Sequence, residues 1–222
     1  LGGGAGAGRG GALVVEADES DGTLALYAPE FAVITNIERD HMEHFGSMTA
    51  LRRCFRKLAV NTRRAVIYCA DDPGAAALCK GRPRSISYGF AAAAEVRGAR
   101  VALDAESSTF TVVRNGSELG SVRLPLPGRH NVSNALAAIA VAMEMGLEFD
   151  SVRGALAKVE LPKRRFEKTV CTRDMLVISD YGHHPSEIRA LVAAAKRLER
   201  SRRRPGRRGT LRVVFQPHRY TR

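Results

Sequence analysis

The stretch VITNIERDHMEHFG, residues 33–46, joins a short β-branched run to a dense group of ionisable side chains. Apolar runs of this kind are typical of strands buried on both faces of a parallel sheet. The side chains that follow the run are Glu38, Asp40, His41, Glu43 and His44. A turn needs fewer polar residues, and in open α/β sheets ligands bind beyond the carboxyl ends of the strands. The stretch therefore indicates an α/β fold, and at the strand end it predicts a metal site, a catalytic acid–base group or a well-solvated loop.

The same pattern extends along the chain. Buried strands are predicted at residues 12–17, 31–36, 64–70 and 84–90, with helical patterns at 47–61 and 71–80. Between about 94 and 124 polar and apolar residues alternate, and Asn115-Gly116 is typical of a hairpin turn. The predicted fold class is α/β, a mostly parallel sheet with flanking helices and a small antiparallel ribbon.

A second series of elements begins after an apolar helix at 130–146 and a shorter helix that follows it. It contains FEKTVC, MLVISD, a helix from Pro185 to about Leu198, and TLRVVFQ, which is a β-β-α-β order. We expect a domain boundary near Leu161–Lys163, which divides the chain into domains at 1–161 and 162–222.

Composition excludes several classes of protein. The chain has 222 residues, of which 45% are hydrophobic and 26% charged, as in ordinary globular proteins. Its four cysteines form no C-x-x-C pair, which argues against a zinc knuckle or a disulfide framework and favours a reducing compartment. No apolar run approaches the about 20 residues that span a bilayer. We expect a cytoplasmic protein.

The net charge of +12 raises the possibility of a nucleic-acid-binding protein. However, nine basic residues and a single acidic one lie between Lys196 and Arg212, so the excess belongs mainly to one helix end and one loop. The chain also has no Trp for base stacking. A solvated loop is the favoured interpretation, and nucleic-acid binding is the alternative.

Two residues near the first strands are candidates for binding a metal. Glu16 ends a predicted strand, and a carboxylate there could ligate Mg²⁺ or, equally, pair with an arginine. In DHMEH, Asp40 and Glu43 resemble a helix-capping arrangement, which leaves His41 without a structural role. His41 is therefore the stronger functional candidate.

Further candidates follow later strands or begin a helix. In PGRHNVSN, residues 127–134, the amide of Asn134 could bind a purine edge. Further along the chain, Arg164 and Arg165 could bind a phosphate or carboxylate. Asp180, Tyr181, His183 and His184 exceed what a helix start requires. The chain ends with His218, Arg219 and Arg222, which suit an anion.

Seven blocks in this order resemble the Mur ligases: VVEADESD, VITNIERDHMEHF, SYGF, LPGRHNVSNALAAIAVA, RRFE, DYGHHPSE and FQPHRYTR. The resemblance covers nearly the whole chain. EADESD, DYGHHP and FQPHRYTR favour the member that adds the first amino acid in peptidoglycan synthesis. The murein peptide recycling ligase is the nearest alternative within the family.

The resemblance implies a central ATP-binding domain followed by the start of a Rossmann-like domain. Glu16 and His41 would then ligate Mg²⁺, and His41 would have a catalytic role. His130, Asn134 and Asp180 would bind the nucleotide. Arg165 and His183 would be catalytic on the phosphate or substrate side, and four residues would bind substrate: Tyr181, His218, Arg219 and Arg222.

The implied reaction is ATP-driven amide formation between L-alanine and the lactyl carboxylate of UDP-N-acetylmuramate, through an acyl phosphate. The partners would be these small molecules, not nucleic acid or a membrane. The family's G-K-Thr phosphate loop is missing from the sequence, and Pro162 and Lys163 stand where a glycine-containing segment is expected. We therefore expect a fragment that is inactive alone, and a non-catalytic remnant is a further alternative.

Overall fold

A computed structural model describes residues 10–203 and 209–217. A six-stranded sheet forms its centre, with the strands side by side in chain order. Neighbours from β1 to β4 run parallel, and β4, β5 and β6 are antiparallel. The strands are β1 (Phe31–Ile34), β2 (Ala65–Cys69), β3 (Ser85–Gly89), β4 (Val96–Leu103), β5 (Ser108–Arg114) and β6 (Ser117–Leu124). The predicted parallel sheet and antiparallel ribbon are confirmed.

Helices cover both faces of this sheet. Residues 157–166 form a linker without helix or strand between the last of these helices and the next strand. The helices that precede the linker are α1 (Met42–Phe45), α2 (Met48–Asn61), α3 (Pro73–Cys79), α4 (Arg129–Glu144) and α5 (Phe149–Leu156). On β2, Ile67 packs in a core cluster with α4, whereas Tyr68 packs in a second cluster with α2 and α3. Every residue of β2 is buried, because its two faces are both covered.

The predicted strand at residues 12–17 is wrong. The structure assigns no strand there, and the side chains of Leu13, Val14 and Val15 are exposed. Apolar composition alone does not make a strand, since the backbone groups also need a paired neighbour. In the described chain the sheet ends at β1, and a short 3-10 helix (Thr23–Leu26) follows this segment.

The six-stranded sheet and its helices are called the first unit, and the part of the chain that follows the linker forms a smaller, second unit. Strands β7 (Glu167–Cys171) and β8 (Leu176–Ser179) pair antiparallel as a separate sheet, and α6 (Pro185–Ser201) follows them. The strand predicted from TLRVVFQ is wrong, because no strand is assigned at 209–217 and Val214 is almost fully exposed. The helix that was predicted to begin at Pro185 is confirmed.

Candidate functional site

The loop after β1 is held by a side chain from the next βα connection. Asp72 caps α3 by accepting a hydrogen bond from Ala75 N at 2.7 Å, and the same oxygen accepts one from Ile37 N at 3.1 Å. Asp40 is not the cap of α1. That position belongs to His41, which has a left-handed backbone (φ 54°) and donates its N–H to Asp40 Oδ1 at 2.8 Å.

The His41 ring faces carboxylates. Its Nε2 lies 3.6 Å from Asp40 Oδ2 and 4.0 Å from Glu19 Oε1, and its side chain keeps only 14% of its surface exposed. Glu16 is exposed in the segment without regular structure. Within the described residues no group of three or more metal-binding side chains is assembled. The carboxylates of Glu16, Glu19 and Asp40 are of the kind that Mg²⁺ takes, since it binds one or two carboxylates and completes its shell with water and phosphate oxygens.

The start of α4 presents the second set of candidates. Gly128 has φ 100°, and a Cβ there would lie 2.7 Å from the His130 ring, so this ring packs over a residue that must be glycine. Asn131 is buried and donates to Pro127 O at 2.7 Å. Asn134 is exposed on the first turns of the helix, where its amide is open to a ligand.

The His130 imidazole connects the two units of the chain electrostatically. Desolvation lowers the pKa of His130, Asp180 opposes that shift, and Arg197 and Arg165 reinforce it. Arg197 lies on α6, and its Nε is buried without a hydrogen-bond partner among the described residues. The charges of Asp180 and Arg165 thus act on the His130 imidazole, and the nucleotide pocket that these residues would share stays a prediction.

Asp180 shapes the turn after β8. Its Oδ2 accepts a hydrogen bond from Phe166 N at 2.8 Å, and its Oδ1 accepts one from Gly182 N at 2.7 Å. Tyr181 N donates to Arg164 O at 2.8 Å, which adds a second tie between the turn and the linker. Both carboxylate oxygens of Asp180 thus have a structural task in addition to any contact with a nucleotide.

Aromatic and cationic side chains cluster on this turn. The guanidinium groups of Arg164 and Arg165 lie 5.2 and 5.7 Å from the centre of the Tyr181 ring. His183 meets the same ring edge-on at 5.3 Å, and its Nδ1 lies 3.1 Å from Tyr181 O. Arg164 and Phe166 have positive φ angles of 62° and 49°, so the backbone on either side of Arg165 is left-handed.

Glu187, in the first turn of α6, joins these groups. Its Oε2 accepts hydrogen bonds from His183 N at 3.0 Å and His184 N at 3.1 Å, and its Oε1 lies 3.5 Å from Arg165 Nη1. Burial raises the pKa of this carboxyl, but the two backbone N–H groups and the Arg165 charge outweigh it, so that the pKa is lowered. Glu187 is therefore charged at neutral pH.

A cleft of about 570 Å³ runs between the two units next to Arg165. Its walls combine apolar side chains such as Leu126 and Phe166 with lysines and glutamates from both units. An ion pair between Glu106 and Lys168 joins the hairpin before β5 to β7. The size of this cleft lies within the range of small-molecule sites.

Several contributors at the site were not chosen from the sequence. Glu38 lies 3.0 Å from His184, and Glu19 faces His41. Arg197 influences the pKa of His130, and Glu187 accepts a hydrogen bond from His184 N. The ionisable cluster after β1 signalled Glu38, whereas Arg197 was hidden in the basic run. His218, Arg219 and Arg222 lie outside the described residues, so their predicted roles are not tested.

Comparisons with known proteins point to the family that the sequence blocks resemble. Residues 9–142 match the model of the Mur ligase middle domain. UDP-N-acetylmuramate–L-alanine ligase of Gloeobacter violaceus is 42% identical over all of this chain and 46% of its own length. The corresponding enzyme of Novosphingobium aromaticivorans is 43% identical over 95% of this chain and 45% of its own length. The chain spans less than half the length of these relatives.

Solved structures agree with the sequence comparisons. UDP-N-acetylmuramate-alanine ligase MurC of Thermotoga maritima superposes with a TM-score of 0.72 and 31% identity, covering 82% of this chain and 42% of that one. MurF of Acinetobacter baumannii shares the fold, with a TM-score of 0.70 and 24% identity over 80% of this chain and 40% of its own. The chain belongs to the Mur ligase family.

No helix in the described part is long and apolar enough to cross a membrane.

Proposed function

We propose that the complete protein containing this chain joins L-alanine to UDP-N-acetylmuramate in a reaction driven by ATP. The observation that carries this proposal is the identity of 42% over the entire chain to ligases named for that reaction. The site adds support in two ways: Arg165 lines the cleft between the two units, and Asp180 and Arg165 of the second unit influence the pKa of His130 in the first. The murein peptide recycling ligase would share the fold and differ in substrate.

The chemistry would proceed in two steps. The lactyl carboxylate attacks the γ-phosphate of ATP, which gives an acyl phosphate and ADP. The amine of L-alanine then attacks the acyl carbon, loses a proton and displaces inorganic phosphate. Positioning and stabilisation of negative charge would be the main tasks of the protein in the first step.

The side chains would divide these tasks. His130 and Asn134 would contact the adenosine, and Asp180 would complete that pocket from the second unit. Arg165 would offset charge on the transferred phosphoryl group through its planar guanidinium. Tyr181 and His183, which contact each other, would line the substrate side. His218, Arg219 and Arg222 would extend this substrate surface.

Magnesium would bind in the first unit. Glu16 and His41 would hold the ion, and Glu19 supplies a further carboxylate that faces His41. When bound, Mg²⁺ would neutralise phosphate charge on ATP. The left-handed backbone of His41 and its short link to Asp40 would fix the orientation of the imidazole. Docking of the second unit against the first would exclude water from the acyl phosphate.

The test is turnover by the purified complete protein with ATP, UDP-N-acetylmuramate and individual amino acids. We expect phosphate release, and a product larger than UDP-N-acetylmuramate by one alanine residue, with L-alanine. Asn134→Ala should raise the KM for ATP by about tenfold, the effect of one lost hydrogen bond. Glu30→Ala is the control, because Glu30 is exposed and directly precedes β1, at the end of the strand away from the candidate residues. Turnover with another amino acid or a peptide, and none with L-alanine, would reject the proposal.

A further inference from the structure

The loop after β1 and the turn after β8 meet through one pair of side chains. Glu38 Oε2 lies 3.0 Å from His184 Nδ1. Glu38 belongs to the first unit and His184 to the second, at the N-cap of α6. We propose that Glu38 and His184 form a positioning pair that fixes the two units at the spacing the reaction needs.

The surroundings distinguish this pair from an ordinary surface ion pair. The side chain of His184 keeps 17% of its surface exposed, and that of Glu38 keeps 34%. Fully exposed pairs are weakened by solvent and by the entropy of two free side chains. Here both groups are partly withdrawn from water, so their contact is screened less than that of a fully exposed pair.

Each partner is also held by its own unit. Asn36 Nδ2 donates to Glu38 Oε1 at 3.3 Å, and the backbone just before Glu38 is tied to Asp72 through Ile37 N. On the other side, His184 N donates to Glu187 Oε2, and His184 Nδ1 lies 2.7 Å from Ser186 Oγ. Little side-chain freedom remains to be lost when the two units meet, which favours a defined geometry.

In the sequence, each partner of the pair lies close to one group of candidate residues. Glu38 precedes His41 by three residues on the proposed metal side, and His184 directly follows His183 on the proposed substrate side. Because both loops are short and anchored, a shift at the pair would change the distance between these groups. A misplacement of this kind lowers the rate even though no reacting atom is removed. The kinetic consequence rests on the proposed function, whereas the contact does not.

A distance measurement tests the contact without any assay of activity. Cys171 on β7 is exposed, and the other three cysteines are buried, so spin labels on Cys171 and on Arg56→Cys in α2 report the separation of the units. Glu38→Ala and His184→Ser should each lengthen and broaden the distance distribution. Serine keeps a residue that is favoured at helix N-caps. Glu30→Ala should leave the distribution unchanged, and unchanged distributions in both site variants would overturn the proposal.

A double-mutant cycle tests positioning. Glu38→Ala and His184→Ser should each lower kcat/KM for UDP-N-acetylmuramate by about tenfold, and the double variant should lose no more than either single variant. Glu38→Gln should recover part of the loss, because it keeps the length of the side chain and a carbonyl oxygen that can face Nδ1. Losses that multiply would overturn the pairing. If the wild-type protein adds no amino acid at all, the proposed function fails, while the distance measurement still decides the contact.

Discussion

At the scale of single residues, Glu187 has several tasks. One carboxylate accepts two backbone hydrogen bonds from the histidine turn and attracts Arg165 from the linker. These interactions favour the charged form and outweigh the effect of burial, so the pKa of Glu187 is lower in the folded protein than in the unfolded chain. Glu187 should therefore contribute stability that depends on pH.

The replacement Glu187→Gln should show this dependence. The contribution is present above the ordinary glutamate pKa of 4.5 and is lost as the pH falls through the lower folded value. Because the side chain is partly exposed, we expect the free energy of unfolding to fall by only about 1 kcal/mol at pH 7. Urea unfolding at several pH values should show the difference shrinking below pH 4.5. A difference that is constant with pH would contradict this explanation.

The roles of some site residues could be predicted from the sequence, and the roles of others could not. His41 was selected because capping left it unexplained, and the structure surrounds it with carboxylates. Glu38 and Arg197 were missed, since each acts on a partner in the other unit, and neither motif nor periodicity encodes such pairs. Asp180 was selected for a ligand, yet its two backbone hydrogen bonds are a structural role that the pattern could not reveal.

At the scale of elements, Asp72 links a helix start to the candidate site. Asp72→Ala should remove the cap of α3 and the acceptor for Ile37 N together. We expect the free energy of unfolding to fall by about 1–2 kcal/mol, the upper range for a lost cap. Thermal or urea unfolding would measure it. Asp72→Asn keeps a carbonyl acceptor in place and should retain most of the stability; an equal loss in both variants would show that the cap is not responsible.

Elements were predictable where local pattern and tertiary environment agree. The run at β2 is apolar throughout and is buried on both faces, and Asn115-Gly116 makes the expected turn with positive φ at both positions. The segments at 12–17 and 210–216 also contain apolar runs but remain without strand structure. A strand requires a neighbour with free backbone groups, and the identity of that neighbour is not a local property of the sequence.

At the scale of the whole molecule, the two units differ in their cores. Both large clusters of buried side chains belong to the first unit, whereas in α6 only Ala194 and Leu198 are buried. On β7, four of five residues are exposed. Local stability follows the amount of buried apolar surface, so the units should open at different free energies.

Hydrogen exchange on the 222-residue chain should separate the units. Amides of β7 and β8 should exchange at least about tenfold faster than those of β5, a strand of similar length with a largely buried pattern. Mass spectrometry of peptides from the three strands would measure the rates under one set of conditions. Equal protection of β5 and β7 would show that the second unit is stabilised as strongly as the first.

The left-handed residues beside Arg165 have a practical consequence. Arg164 and Phe166 adopt positive φ without being glycine, at a cost of roughly 1 kcal/mol or more each. Phe166→Gly would relax the backbone at that position and leave the guanidinium groups of Arg164 and Arg165 in place. The chain thus offers an engineer a point where the rigidity of the linker can be altered separately from the chemistry beside it.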